Sequence, residues 1–234
     1  MKRLSTLICA AACAFAQTPP ATAPPPAGPQ LEDGLYAVLN TEMGTITARL
    51  FEKETPLTVK NFVGLATGTK LWKDPKTGTM VRRPLYSNLG FHRVMPDVMI
   101  QTGSAVANGE HNCGFTIKDE VRPNLKFDTP GRLAMANTDA PNTGACQFFI
   151  TNVVAVAWNG SYTIFGQVVD GQSLVKEISH APTVVNTDHL VKKPPKLIGV
   201  TIKRVGPEPA PAPAPAPPPP AKKIAPPAAA PAAK

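Results

Sequence analysis

From residue 33 onward, apolar and polar positions alternate in short bursts, not in long stripes. Runs at 36–40, 44–51, 91–94, 98–102, 131–136, 147–151, 163–168 and 196–203 are rich in β-branched and aromatic side chains, the pattern of short strands. Only two stretches carry helical spacing. Thr55-Pro56 caps and opens the first, whose apolar face is Val59, Phe62, Val63 and Ala66 and which stops near Gly68. Gly171 precedes the second, with Leu174, Val175 and Ile178 in register. Eight short strands point to a sandwich or a barrel. Two lone helices among them argue for a barrel plugged at its ends, since an open antiparallel sheet leaves its edges unprotected. Residues 70–88, rich in Lys, Arg, Gly, Thr and Pro without sustained periodicity, read as a surface loop. Residues 104–114 are also irregular, and their glycines predict backbone in close approach to a neighbour.

Composition redraws the two ends of the chain. Of 28 prolines in 234 residues, six lie between Pro19 and Pro29 and twelve between Pro207 and Pro231, leaving ten for the stretch between. That stretch, residues 33–206, is long enough for one well-buried core. The flanks, 17–32 and 207–234, alternate Ala and Pro with almost no large apolar side chains. They cannot bury enough surface to offset their ordering entropy, so a linker and a disordered tail are expected.

Ahead of the linker stand Lys2 and Arg3, an apolar run from Leu4 to Phe15, and Ala14-Phe15-Ala16. These are the parts of a secretory signal peptide over residues 1–16, with Gln17 first after cleavage. The run is short of the roughly twenty apolar residues of a membrane span. Ala10 stands where a lipoprotein site at Cys13 carries a large aliphatic residue. The chain is expected outside the cytoplasm, periplasmic or secreted, with no integral span after cleavage. Losing Lys2 and Arg3 takes the formal charge from +8 to +6. No Lys/Arg block stands beside interleaved aromatics, and Lys222, Lys223 and Lys234 lie in the tail, so the charge serves solubility and no nucleic-acid partner is expected. Cleavage also removes Cys9 and Cys13 and leaves Cys113 and Cys146. In an oxidising compartment these either pair or remain two separate buried thiols; the sequence leaves both open.

Most catalytic constellations are missing. His92, His111, His180 and His189 show no metal-ligand spacing, and there is no His-Glu-x-x-His, no Gly-x-Ser-x-Gly and no phosphate-cradling glycine loop. What stands out is an arginine and a glutamine inside apolar β-rich text, Phe91-His92-Arg93-Val94-Met95-Pro96-Asp97-Val98-Met99-Ile100-Gln101-Thr102-Gly103. If Pro96-Asp97 reverses the chain, Arg93, Met99 and Gln101 face one side. Singly, such residues are ordinary: a strand arginine is usually a solvated face, and Phe148-Phe149 usually core.

Together these segments resemble the cyclophilin family. The resemblance is carried by Phe-His-Arg-Val-x-Pro-x-x-Met-Ile-Gln-x-Gly, by Asp119-Glu120, by Gly131-x-Leu-x-Met-Ala-Asn, by Asn142-Thr143-Gly144-x-x-Gln-Phe-Phe-Ile-Thr and by Tyr162-Thr163-Ile164-Phe165-Gly166, in family order from about Leu35 to Val205. It implies a mainly β fold, a closed eight-stranded antiparallel barrel with a helix at each end, and peptidyl-prolyl cis-trans isomerase activity without cofactor or metal. It also implies a monomer that acts on proline-containing unfolded or flexible polypeptides. Carried over, Arg93 looks like the catalytic arginine and Gln101 its helper beside the substrate backbone. Met99, Phe149 and Trp158 look like walls of the proline pocket, Ala136 and Asn137 like the groove, and Val98, Tyr162 and His92 like further substrate-side positions, His92 as a support. Tyr162 stands where many relatives have histidine. The resemblance also places 104–114 and 144–147 around a secondary pocket near the groove, neighbours across which Cys113 and Cys146 could bond.

Several positions depart from the family. Val98 and Thr102 stand where Phe and Gly are frequent, and a smaller Val98 is expected to loosen the pocket. Counting back from Gly166, Trp158 matches a leucine and Ala157 the tryptophan that holds cyclosporin in many relatives, so weak cyclosporin binding is expected. The connection through Thr138-Asp139-Ala140 is one residue longer than usual. The rival reading is a non-catalytic proline-binding or holdase module on the same barrel, for which Val98 is the best support and intact Arg93, Gln101 and Phe149 the opposition.

Overall fold

The computed structural model describes residues 30–106 and 108–208. The signal peptide over 1–16, most of the linker and the tail after residue 208 lie outside the described residues. Among the described residues no helix is long and apolar enough to cross a membrane.

All eight predicted runs form strands: β1 (Gly34–Thr41), β2 (Gly44–Leu50), β6 (Arg93–Met95), β7 (Met99–Thr102), β8 (Arg132–Met135), β9 (Phe148–Thr151), β10 (Ile164–Asp170) and β11 (Lys196–Val205). Three two-residue strands, β3 (Trp72–Lys73), β4 (Met80–Val81) and β5 (Leu89–Gly90), were not expected. β3 and β4 pair as a ribbon inside the stretch read as a loop. The other nine make one antiparallel sheet in the order β5-β11-β1-β2-β10-β8-β9-β7-β6, with β1 inserted between β2 and the last strand. The sheet curls in the manner of the expected barrel, with one strand more. Its terminal strands β5 and β6 are not paired with each other, but only Phe91 and His92 separate them in the chain.

The sheet wraps an apolar interior that α1 (Pro56–Thr67) enters through Phe62. That ring lies 5.1 Å from Tyr86, 5.3 Å from Phe148 and 5.2 Å from Phe165. Each such buried aromatic removes enough apolar surface to contribute about 1.5–3 kcal/mol. α1 ends at Gly68, whose φ of 78° a side chain would strain and whose added Cβ would meet Pro84 at 2.6 Å. Its start differs from expectation, because the Thr55 hydroxyl donates to Phe51 O and gives no side-chain cap. The acceptor is instead the buried Glu120 carboxylate, which takes the N–H groups of Leu57 at 3.2 Å and Thr58 at 2.8 Å. α2 (Gln172–Ser179) buries Leu174, Val175 and Ile178 as predicted, and its Ser179 Oγ accepts the Asp97 N–H at 3.2 Å.

β9 is buried on both faces. Successive side chains of a strand point to opposite sides. Phe148 therefore joins the interior while Phe149 joins a second apolar cluster with Met99, Phe127, Ala134 and Ile164. That cluster is the floor of the candidate site.

Candidate active site

Val98 N donates to Met95 O at 2.9 Å and Asp97 takes a φ of 58°, so the chain reverses after Pro96. The reversal sets Arg93 opposite Gln101 and Met95 opposite Met99, four side chains on one face of the β6–β7 hairpin. β9 extends the face by placing Phe149 opposite Gln101. Over these residues opens a cavity of about 410 Å³. Arg93, Gln101 and Asn137 form its polar side and Met99, Ala136, Phe149, Trp158 and Tyr162 its apolar side, with Met95, Asp139 and Asp188 also lining it.

The apolar side is a set of rings at right angles. Phe149 meets Tyr162 at 5.1 Å and 83°, and Trp158 at 5.5 Å and 90°. Phe127 stacks parallel to Phe149 from below at 6.0 Å. Edge-to-face contacts of this kind fix ring orientation beyond what area burial does. Trp158 closes a short 3-10 turn, Val156–Trp158, and turns inward, while Ala157 beside it is exposed.

The polar side is a hydrogen-bonded chain. Arg93 Nη1 donates to Gln101 Oε1 at 3.4 Å, Gln101 Nε2 to Gln147 Oε1 at 3.0 Å, and Gln147 Nε2 to the carbonyls of Gly109 at 2.5 Å and His111 at 3.1 Å. The other edge of the guanidinium is held from outside, Nε donating to Asp188 Oδ2 at 2.9 Å and Nη2 to Asp188 Oδ1 at 3.1 Å. This pairing holds the Asp188 carboxyl below the usual carboxylate range. Asn137 Nδ2 donates to Ser161 O at 2.9 Å and ties the groove to the turn before Tyr162.

Beside this cavity lies a smaller one of about 260 Å³ that shares Gln101, Ala136 and Asn137 and is walled by His111, Cys146 and Gln147. Behind that wall Cys113 and Cys146 are bonded, S–S 2.12 Å, both fully buried. His111 Nδ1 lies 3.7 Å from the Cys113 sulfur. Among the described residues, His111, Cys113 and Cys146 form the single group with metal-ligand proximity, but the S–S bond occupies both sulfurs. The close approach expected of 104–114 is observed: a Cβ on Gly109 would come within 2.9 Å of the His92 ring.

Two residues expected on the groove stand off it. His92 follows the strand alternation to the side opposite Arg93, is 3% exposed and has a buried Nδ1 with no partner. Burial pushes its pKa down to about 4, so the ring is neutral near pH 7. Val98 sits in the turn and packs at the margin of the Phe149 cluster, leaving the cavity wall to Met99. Conversely, Phe127, Asp139, Gln147 and Asp188 were not foreseen as parts of the site. Gln147 was visible in the motif next to Phe148, whereas Phe127 and Asp188 sit in polar text with no periodicity to mark them.

Chemically, the site offers an apolar bowl beside a cation that does not release its proton and an amide. It can hold a small apolar ring and direct an N–H at it.

The model of the family described as cyclophilin type peptidyl-prolyl cis-trans isomerase/CLD matches residues 36–206. The chain is similar to peptidyl-prolyl cis-trans isomerase B of Streptomyces anulatus, 43% identical over 161 residues, covering 68% of this chain and 91% of that one. It is 42% identical over 149 residues to peptidyl-prolyl cis-trans isomerase A of Mycobacterium tuberculosis, covering 63% and 81%. Among solved structures it resembles a Cryptosporidium parvum cyclophilin type peptidyl-prolyl cis-trans isomerase determined in the presence of the dipeptide Ala-Pro. There the TM-score is 0.61 and the identity 28%, over 73% of this chain and 99% of that one.

Proposed function

The chain belongs to the cyclophilin-type peptidyl-prolyl cis-trans isomerases, and on that premise we propose that it turns X-Pro bonds of exported polypeptides, assisting their folding, with Arg93 as the transition-state donor. The obstacle in this reaction is the partial double bond, a barrier of about 18–20 kcal/mol that makes uncatalysed exchange take tens to hundreds of seconds. In the twisted amide resonance is lost and the prolyl nitrogen regains a lone pair. A donor aimed at that nitrogen therefore stabilises the twisted state more than either planar one. The observation that carries the reading is the placement of the Arg93 guanidinium and Gln101 at one wall of the cavity with Met99, Phe149 and Trp158 at the other. The ring sits in the bowl, the preceding carbonyl swings, and Gln101 and Asn137 hold the chain on either side. The Ala-Pro dipeptide in the Cryptosporidium neighbour supports a proline-containing ligand here. Export is supported by Lys2, Arg3, the apolar run 4–15 and Ala14-Phe15-Ala16. Exposed Ala157, in place of a tryptophan, supports weak cyclosporin binding.

The test is a protease-coupled assay on an X-Pro peptide with wild type and Arg93→Ala side by side. Loss of one preorganised donor is expected to lower kcat/KM by on the order of a hundredfold with the fold intact, and cyclosporin is expected to inhibit the wild type poorly. Turnover by the variant at the wild-type rate would overturn the mechanism. A wild type without turnover would favour the holdase reading.

A further inference from the structure

We propose that Asp188 is a positioning residue for this reaction: its carboxylate grips the Nε–Nη2 edge of Arg93 and so presents Nη1 to the substrate side of the groove. The inference rests on the reading of Arg93 as transition-state donor. A guanidinium has several donor edges and a long, flexible stem, so its catalytic value depends on which edge faces the prolyl nitrogen. Two fixed partners settle that here. Asp188 takes Nε at 2.9 Å and Nη2 at 3.1 Å in a two-point fork, and Gln101 receives Nη1 at 3.4 Å from the cavity side.

Asp188 is not at the end of a loose loop. It lies just before a segment laid antiparallel along β6, in which Leu190 is bridged to Arg93. Val94 N donates to His189 O at 3.1 Å and Val191 N to His92 O at 2.9 Å, main-chain bonds on both sides of Arg93. Thr187 Oγ1 donates to Val184 O at 2.7 Å and draws the tip of the turn together. The same backbone that carries Arg93 therefore sets the position of the carboxylate that aims it. Stability is a poor explanation for the pair, since the Asp188 side chain is 76% exposed and ion pairs of that kind contribute little to folding. Its effect falls on orientation, where small displacements of a reacting group are costly.

The experiment measures kcat and KM separately on one X-Pro peptide for wild type, Asp188→Asn, Arg93→Ala and the double variant, with thermal midpoints alongside. Asp188→Asn is expected to lower kcat about tenfold while KM and the midpoint stay near wild type. In the Arg93→Ala background the second substitution is expected to cost nothing further, because there is no guanidinium left to aim. A kcat for Asp188→Asn at or above wild type would overturn the inference, the carboxylate then being idle or a competitor for Arg93, as would a loss in the double variant equal to the product of the two single losses. Full activity in Arg93→Ala overturns the functional reading itself, so the two failures are distinguishable.

Discussion

His92 and Arg93 are adjacent in sequence and opposite in fate. The arginine reaches into the groove, while the imidazole is sealed behind it with its pKa near 4. That depression makes folding stability depend on pH with a definite sign. The unfolded chain takes up the histidine proton near pH 6.5, whereas the folded chain resists it down to about pH 4. Stability contributed by the neutral ring is complete above the unfolded value and is lost as pH falls from there toward the folded one. The loss amounts to about 3 kcal/mol over that window. Denaturant unfolding at several pH values is expected to show this slope, and His92→Phe to flatten it; an unchanged slope in the variant would assign it to the carboxylates. The site residues on the hairpin face were legible in the sequence because alternation and one turn fix their common direction. His92 was misplaced because proximity in sequence says nothing about which side of a strand a neighbour takes, and Val98 because it falls in the turn between β6 and β7, outside the alternation. Asp188 was out of reach because it meets Arg93 from 95 positions away.

At the scale of elements, the strands and both helices were readable because their periods are long enough to repeat. The two-residue strands β3, β4 and β5 offer no period to read. The cap of α1 shows another limit. Thr55-Pro56 has the local signature of a helix start, yet the groups that receive the first N–H bonds come from Glu120, 62 positions away from Thr58. Glu120 is also fixed by its own backbone N–H, which donates to Thr163 Oγ1 at 2.9 Å, so one residue, through its carboxylate and its main chain, links α1 to the residue before β10. Glu120→Ala is expected to destabilise the domain by about 1–3 kcal/mol, the range for leaving buried donors without an acceptor, with catalysis little altered. Urea titration checks it; a midpoint unchanged from wild type would mean that water replaces the carboxylate at no cost.

For the molecule as a whole, the sequence defined a sheet-rich body and its order of motifs, but not the order of strands across the sheet, which depends on pairings between distant segments. The sulfur bond is a feature on this scale, joining residues 33 apart and stabilising the fold by about 3–4 kcal/mol in the chain-entropy model. One intact-mass measurement on protein recovered from outside the cytoplasm of its host addresses both export and pairing. The expected species begins at Gln17 and is two hydrogens lighter than its reduced form. A chain found only in the cytoplasm would count against export, one that keeps Met1 against cleavage before Gln17, and a mass indifferent to reductant against the bond. There remains the placement of β1, which has β2 on one side and β11 on the other, so that Gly34 is paired with Val205. A chain emerging from the ribosome in order makes the first of these contacts almost at once and the second only at the very end, when the segment carrying Asp188 has also appeared. Non-local pairing of this kind is slow to form. The consequence concerns timing: the fold stays unfinished until β11 is free to pair, and the enzyme begins work only after nearly all of its own sequence has been made.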